Sequence, residues 1–136
     1  MPEKRSKKMT RRETRELDIT IEFLEGVIRR DPQYVEALQL LGDNYTQRGK
    51  FENGLKVDEQ LSQLEPRNPL VFYNLACSYS LTGQVDAAAS ALDKALALGY
   101  RDFKWLAEDP DLHDLRKQPV YRRIRAKLRL MKVRVR

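Results

Sequence analysis

The stretch "LQLLGDNYTQRGKF", Leu38 to Phe51, returns in altered form 34 residues later as "FYNLACSYSLTGQV", Phe72 to Val85. Under that shift Leu41 falls on Leu75, Gly42 on Ala76, Tyr45 on Tyr79 and Gly49 on Gly83. Further along, Gly54 falls on Ala88 and Leu64 on Leu98. Shifted the other way, Leu17 falls on Phe51, Ile21 on Leu55 and Asp31-Pro32 on Glu65-Pro66, a match that covers only the later half of a unit. A fixed internal period constrains a fold more than any local propensity. Each unit then buries its apolar face against its neighbours, and the architecture is set by stacking.

Within a unit the period is helical. Leu38, Leu41, Gly42 and Tyr45 lie at i, i+3, i+4 and i+7, one face of an α-helix. Gly49 suits the left-handed residue that ends it. Leu55, Val57, Leu61 and Leu64 pattern a second helix, which stops before Pro66, and Arg67-Asn68-Pro69 makes a turn. Gly42 with Gly54, and Ala76 with Ala88, let two helix backbones approach closely. A glycine inside a helix costs about 1 kcal/mol relative to alanine, so the contact made at Gly54 is expected to be worth more than that.

The spacing Leu38-x2-Leu41-Gly42-x2-Tyr45, followed by Gly54 and Pro66, resembles a tetratricopeptide repeat, as does Phe72-x2-Leu75-Ala76-x2-Tyr79 with Ala88 and Leu92. The resemblance implies an all-α solenoid of helical hairpins, a right-handed superhelix with C-terminal capping helices. A half repeat occupies 12–34, full repeats 35–68 and 69–102, and a cap 103–131, all in one domain over 12–131. Residues 1–11 and 132–136 are expected as basic tails. Three positions depart from the family pattern: Asp58 replaces a bulky apolar residue, Leu61 a small one, and Tyr100 the closing proline. The second helix of the first full repeat is therefore expected to pack less regularly. The stretch "GYRDFKWLAEDPDLHDLRKQPVYRRI" is similar to the closing segment of some bacterial members. Asp109-Pro110 reads there as an N-cap followed by proline at the first helical position. A last helix from Pro119 carries Val120, Ile124, Leu128 and Met131 on one stripe.

The net charge of +6 hides a division: +4 over residues 1–16, +10 over 116–136 and -8 between them. Such asymmetry bears on partners rather than on fold. A mean hydropathy of -0.66 and the lack of a long apolar run argue against a membrane span. The N-terminus has positive charge but no apolar segment behind it, which argues against a secretory signal. Cys77 is the single cysteine, so no internal disulfide or cysteine-based zinc site forms, and a reducing cytoplasm is the expected location.

Reactive chemistry is not indicated. His113 is the single histidine, and nothing in the spacing pairs it with Cys77. No phosphate-binding glycine loop occurs. Asp109, Asp111 and Asp114 lack the glycine and distal glutamate of a calcium loop, so helix capping explains them better. The expectation is a protein without enzymatic activity, cofactor or metal.

In tetratricopeptide proteins the first helix of each hairpin lines a concave groove that binds protein segments. Opposite the packing stripe lie Gln39, Asp43 and Thr46, flanked by Glu36 and Gln47. One repeat later the same face has Tyr73, Cys77 and Ser80, flanked by Leu70 and Leu81. Tyr73, Leu70 and Leu81 either meet a ligand or pack against the cap. Some family members clamp a C-terminal carboxylate with basic residues here. Glu36 and Asp43 argue instead for a neutral or basic segment and against such a clamp.

The basic ends suggest an alternative: binding of nucleic acid or an anionic membrane surface through Lys4, Arg5, Lys7 and Lys8, and through Arg122, Arg123, Arg125, Lys127, Arg129, Lys132, Arg134 and Arg136. The first group also reads as a solvated, disordered tail. The amphipathic last helix suits docking as the final cap with its arginines in water. The first helix has no preceding helix to cover it. Ile19, Phe23 or Val27 is then left facing out, which predicts marginal stability or self-association through that end.

Overall fold

The computed structural model describes residues 8–135, all of it helix and connecting turn, with no strand among the described residues. The helices are α1 (Arg11–Arg30), α2 (Val35–Arg48), α3 (Phe51–Leu64), α4 (Pro69–Leu81), α5 (Val85–Leu98), α6 (Phe103–Glu108), α7 (His113–Arg116) and α8 (Tyr121–Val135), with a 3-10 turn at Pro110–Leu112. The fold is all-α, built of helical hairpins. Contacts gather the chain into two compact units, residues 1–66 and 67–136, where the sequence suggests one domain over 12–131. The division falls at the turn before α4. Pro69 lacks an N–H and opens the new helix at its first turn, and Asn68 caps it by accepting from the Leu70 N–H at 3.0 Å.

In the first unit, α1 begins with a capping box. The Thr10 hydroxyl accepts from the Glu13 N–H, and the Glu13 carboxylate accepts from the Thr10 N–H, both at 3.1 Å. Ile21 and Leu24 of α1 are buried, as are Leu38, Leu41 and Tyr45 of α2 and Leu55, Val57 and Leu61 of α3. The turn between α2 and α3 is made by Gly49 at φ +83°, a left-handed conformation that disfavours any side chain. A methyl group at Gly42 would come within 3.2 Å of Asp58 Oδ1 and 3.3 Å of Val57 Cγ1, and one at Gly54 within 3.1 Å of Thr46 Oγ1. The close approach expected of these glycines is therefore present. Asp58 and Leu61 do not interrupt α3, which is continuous. Asp58 is buried beside Gly42, where the absence of a Cβ makes room for a carboxylate at a position the family fills with an apolar side chain.

In the second unit, α4 and α5 pair through Leu75, Ala76, Ala88 and Leu92, all buried. The chain then turns back. The 3-10 turn and α7 pack on α4, α7 and α8 pack on α5, and Leu106, Leu112, Leu115 and Ile124 have no solvent exposure. Burying four large aliphatic side chains contributes on the order of 2 kcal/mol each. Of the predicted α8 stripe, Ile124 and Leu128 are buried and Val120 and Met131 half-buried. Helix α8 runs on to Val135, so the expected tail at 132–136 is helical over 132–135: "KVRV" contains no glycine or proline to stop it. Lys4, Arg5, Lys7 and Arg136, with most of the expected N-terminal tail, lie outside the described residues.

Candidate functional site

The ten groove residues divide between the two units, five on α2 and five on α4. On α2 they form an open face. Glu36, Asp43 and Gln47 are exposed, and Gln39 and Thr46 are half-buried. Leu40, which the sequence reading passed over, is 56% exposed between the two acids. Glu36, Leu40, Asp43 and Gln47 follow one another at i, i+4, i+7 and i+11, so the helix presents them as one stripe. The missed signal was Leu40 itself, an apolar residue lying off the packing stripe. Thr46 turns its hydroxyl back to the Gly42 carbonyl at 3.2 Å and is less available than its neighbours.

On α4 the corresponding residues do not form a surface. Tyr73 and Ser80 have no exposure and Cys77 almost none. The closing segment covers them: the 3-10 turn and α7 lie on α4, and Asp109, at the start of the turn, is itself fully buried. Its Oδ2 accepts from the Tyr73 hydroxyl at 2.7 Å and from the Cys77 thiol at 3.6 Å, and its Oδ1 accepts from the Asp111 N–H at 3.0 Å. Ser80 accepts from the Leu115 N–H at 3.3 Å. Tyr73 also stacks on Tyr100, with centroids 4.2 Å apart and planes 8° from parallel. Tyr73, Cys77 and Ser80 are thus corrected from groove to core, because cap residues satisfy their polar atoms and exclude water. Leu70 stays exposed and Leu81 half-buried. Tyr100, at the place of the usual proline, supplies the other half of the aromatic stack.

Burial raises the ionisation of the Tyr73 hydroxyl far above its ordinary range, and the thiol of Cys77 and the carboxyl of Asp109 add to it. Tyr100 shifts the same way for the same first reason. In the first unit Tyr45 is pushed up to about 12 by burial and by Glu25, whose carboxylate accepts its hydroxyl proton at 2.5 Å. These are structural hydrogen bonds, each joining a repeat helix to another element of its own unit.

Cys77, Asp109 and Asp111 place three potential ligand atoms within 4.8 Å of one another. A cation there would have to displace the donors that Asp109 already holds, and the segment over α4 is built on those donors. His113 is exposed while Cys77 is buried, so they form no nucleophile–base pair.

The basic residues are sorted by the fold. Arg123 and Lys127 each reach Asp93 of α5 at 2.8 Å and help dock α8. Arg122, Arg125, Arg129 and Lys132 are exposed along another face of α8, and Arg125 lies over the Tyr121 ring at 5.5 Å from its centroid. Lys8 is exposed ahead of α1; the side chain of Arg134 is not described. No helix among the described residues is long and apolar enough to cross a membrane.

Residues 70–98, the α4–α5 hairpin, match the family model for the tetratricopeptide repeat, so this hairpin is one such repeat. The chain is also similar to parts of longer proteins. It is 42% identical over 79 residues to a chloroplastic protein of Arabidopsis thaliana, covering 56% of this chain and 24% of that one. It is 32% identical over 90 residues to the peroxisomal targeting signal receptor of Komagataella phaffii, covering 65% and 16%. The PEX5-related protein of Homo sapiens is 32% identical over 77 residues, covering 57% and 12%. The chain thus spans less than a quarter of the length of these relatives. Repeats of this kind serve protein–protein interaction.

Proposed function

We propose that this chain is a non-enzymatic interaction module, an adaptor or assembly factor of a reducing compartment such as the cytoplasm. It takes a neutral to basic protein segment on the outer face of α2. The observation that carries this reading is the stripe Glu36, Leu40, Asp43 and Gln47, exposed on a helix whose opposite face is core. Leu40 offers an apolar contact between two carboxylates, the complement of a segment with an aliphatic side chain beside a lysine or arginine. No basic side chain stands in the stripe to clamp a terminal carboxylate. A relative named as a targeting-signal receptor agrees with a recognition role.

A second reading has its own observation. Arg122, Arg125, Arg129 and Lys132 form an exposed basic stripe for which no acidic partner occurs among the described residues. It suits nucleic acid or an anionic surface.

One titration separates the two. A fluorescent Lys/Leu peptide should bind about tenfold tighter than its Glu/Leu counterpart. Leu40→Asp with Asp43→Lys should remove that preference, and binding should persist at about 0.5 M salt. An oligonucleotide bound through α8 should instead weaken with a log–log slope of about -0.9 per phosphate contact, and respond to Arg125→Glu with Arg129→Glu. Equal binding of both peptides by wild type and α2 variant would reject the first reading.

A further inference from the structure

We propose that α8 binds duplex DNA, with its outer ridge in the major groove and its basic stripe along one phosphate strand. The assignment rests on reading the α8 stripe as a polyanion site and narrows the polyanion to one. Arg122, Arg125, Arg129 and Lys132 fall at i, i+3, i+7 and i+10. At 3.6 residues per turn they line one edge of the helix within a sector of about 80°. All four are exposed. Their neighbours Arg123 and Lys127 lie on the other flank, and each holds Asp93 of α5 at 2.8 Å. Docking on α5 thus uses two of the cations of α8 and leaves these four in a row.

From residue 122 to residue 132 the helix rises about 15 Å. One strand of a B-form duplex carries a phosphate about every 3.4 Å of its axis, so the same rise holds about four. A guanidinium grips two phosphate oxygens at once. Each phosphate neutralised also releases a condensed counterion, a gain that the isolated carboxylates of a protein segment do not offer. Between the stripe and the pair on Asp93 runs a crest of Ala126 and Leu130, both exposed. It has no charge to desolvate against base edges, and its aliphatic groups suit the thymine methyl.

Other polyanions fit less well. A helix that lies in a membrane surface buries its large apolar residues in the lipid, whereas Tyr121, Ile124 and Leu128 are already buried inside the fold. Single strands are held by exposed rings on which bases stack. The exposed large apolar side chains among the described residues of the second unit are Leu70 and Leu130, and neither is a ring. Duplex RNA has a major groove too narrow for side chains to read, while that of B-form DNA, about 12 Å wide, admits a helix.

Fluorescence anisotropy of the full chain with labelled DNA duplex, the matching single strand and an RNA duplex tests this, beside sedimentation with phosphatidylserine vesicles. The DNA duplex should bind with a dissociation constant on the order of 10 μM at about 0.1 M salt, and with a log–log salt slope of about -3.6 for four phosphate contacts. Arg122→Gln with Arg129→Gln should shallow that slope to about -1.8. Lys50→Gln with Lys56→Gln at α3 changes the net charge equally and should leave the slope as it was. Circular dichroism should show all variants equally helical. If the single strand, the RNA duplex or the vesicles bind as tightly as the DNA duplex, and lose binding in the α8 variant, the duplex assignment is overturned and the polyanion reading stands. If no probe binds, or the α8 and α3 variants behave alike, both are overturned.

Discussion

Helices α2 and α4 occupy the same place in successive repeats, yet one keeps a wet outer face and the other does not. Gln39, Asp43 and Thr46 correspond to Tyr73, Cys77 and Ser80. The first three border solvent; the last three are core beneath the closing segment. Backbone position is shared, so the side chains decide. A ring, a thiol and a small hydroxyl accept cover, whereas an amide and a carboxylate would cost free energy to desolvate. The comparison shows that a repeat position is not a binding position until the chain beyond the repeats has been placed.

The two units also anchor buried tyrosines in parallel fashion, Tyr45 on Glu25 and Tyr73 on Asp109. In each a neutral hydroxyl donates to a carboxylate and meets part of that acid's hydrogen-bonding demand.

The sharpest way to break the comparison is to truncate both members of one pair. Tyr73→Ala removes a fully buried ring and its bond to Asp109 and should cost about 3–5 kcal/mol. Gln39→Ala should stay within about 0.5 kcal/mol. Urea unfolding followed by circular dichroism measures both, and Trp105, the single tryptophan, reports on the second unit by fluorescence. Equal effects would mean that the cap does not hold α4 as described.

A finer test separates the stacked tyrosines. Tyr73→Phe takes a donor from buried Asp109 and should cost about 1–3 kcal/mol. The Tyr100 hydroxyl is buried without a hydrogen-bond partner among the described residues. Tyr100→Phe should then be neutral or stabilising by up to about 1 kcal/mol. Differential unfolding of the two variants under one buffer decides it.

The smallest expected effect is alkaline. Tyr45 ionises near pH 10 when unfolded and at about 12 when folded. Its contribution is fully present below pH 10 and is lost as pH rises through 12, because only the unfolded state then releases its proton readily. Tyr73 and Tyr121 act in the same direction. The urea midpoint should fall across that window, and Tyr45→Phe should shallow the fall. An unchanged slope would remove Tyr45 from the account.

Much of the fold was legible beforehand because it rests on local rules. Gly49 ends α2 in a left-handed turn, Pro69 opens α4, and the stripe of Leu38, Leu41 and Tyr45 faces inward. Ile19 and Phe23 are exposed, as the expectation for the outer side of the first helix had it. The site was less legible. Leu40 was not legible as part of an open face, because an apolar residue within a helix reads first as core. Arg123 and Lys127 counted as free charge until α8 docked on Asp93. Asp109 read as a local cap, which it is, but its other oxygen reaches Tyr73, 36 residues away.

The order of helices, their ends, the close approaches at glycine and alanine and the opposed charges of body and termini were determined by the sequence alone. Each depends on spacings of a few residues or on a period repeated along the chain. Which stripe remained open to a partner was decided only in three dimensions. Exposure depends on where the closing segment comes to rest, and that position is a sum of packing and hydrogen bonds between residues far apart in the chain.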